Sequence, residues 1–107
     1  MSTELAEIFW HDGQLLSLAF ETEAREPAVL TLVLALYEGE QSPSRVPYKI
    51  ICVDVSLFET SLDVRELRDN ASAGNIVDGS VTPGTLHLEV TGGEIQVTAR
   101  SFNVIAC

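Results

Sequence analysis

Lysine is almost missing from this sequence. Lys49 is the only one, beside five scattered arginines and against sixteen aspartates and glutamates. The resulting formal net charge of −10 leaves no basic patch to neutralise phosphates, so no nucleic acid is expected as a partner. An anionic membrane surface is disfavoured for the same reason, whereas a basic protein partner is electrostatically favoured. Long apolar runs are lacking too. The longest, Ala28 to Tyr37, has ten residues broken by Thr31, too few to cross a bilayer as a helix. The opening Met1-Ser2-Thr3-Glu4-Leu5-Ala6-Glu7 has no basic segment and carries glutamates where a secretory signal would be apolar. No membrane and a cytoplasmic location are therefore expected.

Cysteine and histidine are scarce, with two of each. Without a Cys-x-x-Cys pair, a tetrahedral metal site would need His11, His87 and carboxylates to converge, and none is expected. Cys52 lies in an apolar stretch and reads as a small core residue. Cys107 is the last residue, and both thiols are expected to be free in a reducing compartment. There is no Gly-x-Ser-x-Gly, no phosphate-cradling glycine loop and no Gly-x-Gly-x-x-Gly, so no cofactor is expected. His11-Asp12 could pair a base with an orienting carboxylate. No nucleophile accompanies the pair, however, and Asp12-Gly13 reads as an ordinary turn, which is the preferred reading. Sixteen carboxylates allow no acid–base pair to be singled out, so the residues do not point to an enzyme. Asn70-Ala71-Ser72 is read as a turn.

What the sequence does hold is two-residue alternation. One domain over residues 1–107 is expected from the length. Glu4 to Trp10 has helical spacing, with Leu5, Ile8 and Phe9 on one side, and His11-Asp12-Gly13 turns the chain. Gln14 to Glu21 alternates as a strand, with Leu16, Leu18 and Phe20 on one face and Leu15, Ser17 and Ala19 on the other. Ala28 to Glu38 is apolar on both faces and is predicted to be a central strand covered on both sides. Val46 to Ser56 is a third strand, with Pro47 at its start. Thr60 or Ser61 would cap a short helix ending near Asn70, with Leu62 and Leu67 inward; an extended Ser61-to-Val64 stretch is the alternative. A short strand is expected around Asn75 to Asp78. Thr85 to Thr91 and Glu94 to Ala99 alternate about a two-residue Gly92-Gly93 turn. This pairs Val90 with Ile95, Leu88 with Val97 and Leu86 with Ala99 on one face, and His87 with Thr98 and Glu89 with Gln96 on the other. The apolar phase then slips to Phe102, Val104 and Ala106, which predicts a bulge near Arg100-Ser101.

The fold class that follows is mostly β. An antiparallel sheet of five to six strands is expected, curled into an open barrel or a small sandwich, with one or two short helices; α+β is the alternative. Phe9 and Trp10 are adjacent on a short segment and cannot both face one core. Phe9, Trp10, His11 and Asp12 therefore form the candidate interface, one aromatic capping a barrel mouth.

The stretch from Phe9 to Leu18, and the Gly-Gly hairpin followed by Ala99-Arg100-Ser101-Phe102-Asn103-Val104, resemble small bacterial β-rich domains, some of them similar to toxin-immunity proteins. The resemblance implies a small bacterial binding protein and transfers no functional residue. The leading expectation is a non-catalytic binding or interaction domain with a basic protein partner. The alternative is a small enzyme or ligand carrier whose site gathers scattered residues at a barrel mouth.

Overall fold

The computed structural model describes residues 8–39 and 41–107. Most of the expected N-terminal helical turn lies outside the described residues, and 8–10 belong to neither helix nor strand. Six strands follow: β1 (Gln14–Glu21), β2 (Val29–Leu36), β3 (Val46–Thr60), β4 (Ile76–Thr82), β5 (Thr85–Val90) and β6 (Gly93–Ala106). Between β3 and β4 lie a six-residue helix, α1 (Val64–Asp69), and a 3-10 turn (Ala71–Gly74). All neighbours pair antiparallel in one sheet of order β1-β2-β3-β6-β5-β4.

The long strands β3 and β6 form the spine. β2 pairs with the first half of β3, from Val46 to Val53, and β5 with the first half of β6, from Gly93 to Thr98. Since β3 and β6 run in opposite directions, these flanking strands sit on opposite sides and at opposite ends of the spine. Curling then brings the two half-sheets over a single core. Leu30, Leu32 and Leu34 of β2, Ile50 and Cys52 of β3, Leu86 and Leu88 of β5, and Ile95 and Val97 of β6 are all 0 % exposed and belong to one cluster. Burying so many aliphatic side chains is the main stabilising term of a domain this size. Among the described residues the sheet edges meet at a single bridge, between Gln14 and Asn75, so the sheet curls without closing into a barrel.

β2 lies between β1 and β3. Its leucines are buried, while Val29, Thr31, Val33 and Ala35 on the opposite face are only half-buried. The expected cover on both sides is therefore absent among the described residues. In β1 the ladder steps from Leu15–Leu34 to Ser17–Val33, leaving Leu16 as the extra residue of a bulge, 52 % exposed. The bulge turns Leu15 onto the core-facing side with Leu18 and Phe20, which reverses the expected places of Leu15 and Leu16. Phe20 there meets Phe58 of β3, ring centroids 5.6 Å apart.

The phase slip expected at Arg100-Ser101 is present. Ile95, Val97 and Ala99 are buried, Arg100 and Ser101 are exposed, and Val104 is buried again. The formal register shift, however, lies in the partner strand, between Val55 and Leu57. Asp54 nearby adopts φ 58°, a left-handed conformation that aspartate tolerates better than most residues. Both strands of the spine thus change their inward face at the same level, where the two half-sheets join.

The terminal hairpin corrects the sequence reading. Its turn is Thr91-Gly92, and Gly93 already belongs to β6. Val90 faces Gly93, Leu88 faces Ile95 and Leu86 faces Val97, while His87 faces Gln96 and Glu89 faces Glu94. The register is displaced by two residues, so every side chain keeps its expected face. The cause lies outside the hairpin: a Cβ on Gly93 would sit 2.6 Å from the Ser61 carbonyl oxygen. The segment entering α1 crosses there, and the Asp63 N–H donates to the Gly92 carbonyl at 2.8 Å.

α1 is capped by Asp63, whose carboxylate accepts from the Glu66 N–H at 3.1 Å. Thr60 and Ser61, the expected caps, are engaged elsewhere. Thr60 donates to the Glu94 carbonyl, and the Ser61 hydroxyl accepts from the Glu94 N–H. Asn70 ends the helix and caps the 3-10 turn, accepting from the Ser72 N–H at 3.0 Å.

Candidate functional site

The turn after Trp10 is built by backbone contacts. The Gly13 N–H donates to the Trp10 carbonyl, and the Gly13 carbonyl accepts from Ile76 N–H at 2.8 Å, tying the turn to β4. Gly13 is buried, and a Cβ there would lie 2.6 Å from Leu36 Cδ2, so a larger residue would require that side chain to shift. Asp12 takes φ 63° to complete the turn.

The four candidate interface residues separate. Trp10 lies against the core, its ring on the backbone of Gly79 in β4, where any Cβ would overlap the indole. It covers part of the core, and because the sheet does not close there is no barrel mouth for it to cap. Phe9, His11 and Asp12 instead line an open cleft of about 470 Å³ with Tyr37, Ser42 and Arg45. Phe9 stacks edge-on against His11, centroids 6.5 Å apart. The His11 Nε2 is 3.4 Å from Asp12 Oδ2, with both side chains largely in solvent. Arg45 Nε donates to the Asp12 carbonyl at 2.9 Å, and its guanidinium carbon sits 5.4 Å from the centre of the Tyr37 ring. Sequence reading missed Arg45 and Tyr37, because neither carries a motif and 33 residues separate Arg45 from Asp12.

A second feature lies on the outer face of the other half-sheet. Asp78 faces Glu89 across β4 and β5, and Glu89 faces Glu94 across β5 and β6, giving three carboxylates in a row over three adjacent strands. His87 sits in the next row, its Nε2 3.6 Å from Glu94 Oε2 and its side chain 37 % exposed. Like charges directly opposite one another oppose strand pairing. The row could not be read from the sequence, because the expected register set Glu89 against Gln96.

Among the described residues, no group of three or more His, Cys, Asp or Glu is placed to hold a metal ion. No described helix is long and apolar enough to cross a membrane. Cys52 is buried and Cys107 exposed, both as free thiols. Burial pushes the Cys52 thiol up to about 12, because the apolar core disfavours the thiolate. Treatment of the native protein with a thiol reagent at neutral pH should therefore modify Cys107 rapidly and Cys52 only after denaturant is added. Mass spectrometry of the time course checks this, and two equally fast additions would contradict it. Because the thiol ionises near its ordinary value when unfolded but resists ionising when buried, stability should fall as pH climbs from about 9 towards 12.

Comparison with protein-family models, with curated proteins and with solved structures finds no match to this chain.

Proposed function

We propose that this protein is a non-catalytic interaction domain that recognises a basic protein partner through the outer face of β4, β5 and β6. The row Asp78–Glu89–Glu94 carries this reading. Like-charge pairing opposes the sheet, and its presence has a rationale when a partner supplies the opposing charge. The net charge of −10 would steer such a partner towards the domain. A basic toxin is one such partner, since the opening and closing segments resemble small bacterial domains of which some are similar to toxin-immunity proteins.

The reading makes a stability prediction. Glu89→Gln should stabilise the isolated domain by about 0.2–1 kcal/mol in urea denaturation at low salt, through relief of two cross-strand repulsions. A loss of stability would mean that the row is not repulsive. Its binding arm uses deca-lysine as the probe. Neutralising Asp78, Glu89 and Glu94 together should weaken binding about tenfold, whereas neutralising Glu21, Glu23 and Glu26 should change it by no more than about twofold, although both variants lose the same net charge. Equal effects would reduce the interaction to overall charge and remove the case for this face.

A further inference from the structure

The cleft beside the Asp12 turn lies at the other half of the sheet and stands independently of the acidic face. We propose that it binds a small organic anion, a carboxylate or phosphate group carried on a flat apolar body.

Arg45 is the anchor. A free arginine side chain samples many rotamers, and ordering it opposes binding. Here the ordering precedes any ligand: Nε is committed to the Asp12 carbonyl at 2.9 Å, and the guanidinium plane rests by Tyr37, 5.4 Å from its ring centre. The acceptor of that bond belongs to a turn which Gly13 ties to Trp10 and to Ile76, so the anchor rests on the rigid sheet. The one hydrogen bond Arg45 makes to a described residue uses Nε, and guanidinium carries four further N–H donors on its two terminal nitrogens. Two such donors in a plane match the two oxygens of a carboxylate or phosphate.

The rest of the cleft fits the same ligand. The Ser42 hydroxyl adds a donor along its wall, beside the His11 ring. Asp12 is the one carboxylate among the described lining residues, and its side chain lies beside His11, with Oδ2 3.4 Å from Nε2. Phe9 and Tyr37 supply apolar walls, and flat ligand groups stack on such rings. A volume of about 470 Å³ falls in the range of small-molecule sites and holds one ring with its acidic group.

The test compares phenylacetate with phenylacetamide, which share a shape and differ in charge. Each is titrated into ¹⁵N-labelled protein and followed by amide chemical shifts. Saturable shifts confined to Phe9–Gly13 and Tyr37–Arg45 are expected for phenylacetate, with the amide binding at least about tenfold more weakly. Phenyl phosphate should act as phenylacetate does. Arg45→Gln should abolish the response, while Arg25→Gln, in the connection between β1 and β2, should leave it unchanged. Equal binding of acid and amide, persistence of the shifts in Arg45→Gln, or no saturable shift up to about 10 mM would each overturn the proposal. The acid–amide comparison uses the unaltered protein and decides the matter even if Arg45→Gln disturbs the turn.

Discussion

Replacing Leu88 with lysine should destabilise the domain by several kcal/mol and leave little folded protein at room temperature, because it forces an ammonium group into an apolar core. Leu88 is 0 % exposed and lies between Gly79 of β4 and Ile95 of β6, and among the described residues no charged side chain is buried. One residue away, His87→Lys should shift stability by no more than about 0.5 kcal/mol, since that side chain is on the outer face beside Glu94. Urea denaturation of both variants against the parent measures the contrast. A one-residue error in the hairpin would exchange the two outcomes, and comparable damage from both would place His87 inside.

The second large effect belongs to Gly93. Gly93→Ala should cost more than about 3 kcal/mol, because two penalties fall together. The residue has φ +145°, a region that residues with a Cβ rarely occupy. The added methyl would also meet backbone rather than a movable side chain, 2.6 Å from the Ser61 carbonyl oxygen and 2.8 Å from Leu62 Cα. Gly84 separates these terms. It has φ +90° with nothing within 4 Å of a Cβ, so Gly84→Ala should show the conformational penalty alone, about 1 kcal/mol. Thermal unfolding of the two variants tests this. Equal losses would mean that the crossing of the Ser61–Leu62 segment over Gly93 exerts no steric demand.

These two residues also show where sequence reasoning works and where it stops. Strand pattern reports the face of a side chain through a period of two, so a register displaced by two residues is invisible to it. Leu86, Leu88, Val90, Ile95 and Val97 were accordingly placed inward correctly while their partners were not. The two glycines suggested a turn made of both. Only the passage of a distant segment over Gly93 decided that it lies in the strand, and that decision brought Glu89 opposite Glu94. The β1 bulge is likewise invisible to strand pattern. One extra residue at Leu16 exchanged the faces of Leu15 and Leu16, and nothing local distinguishes a bulged run of alternating apolar residues from a straight one.

The site divides in the same manner. Phe9, Trp10, His11 and Asp12 stood out because two adjacent aromatics precede a turn, and the Asp12-Gly13 turn is local chemistry. Which aromatic would cover the core depended on Gly79, 69 positions after Trp10 in sequence, and the arrival of Arg45 and Tyr37 depended on the strand order. By itself, the sequence determined the mostly-β class, the strongly acidic charge, the buried face of most strands and the position of the phase slip in β6. These follow from side-chain chemistry repeated at short range. Tertiary structure alone decided the open curl of the sheet, the hairpin register, the carboxylate row and the Arg45 cleft. Each of these depends on contacts between segments far apart in the chain, and a period of two carries no information about which distant strand a residue will meet.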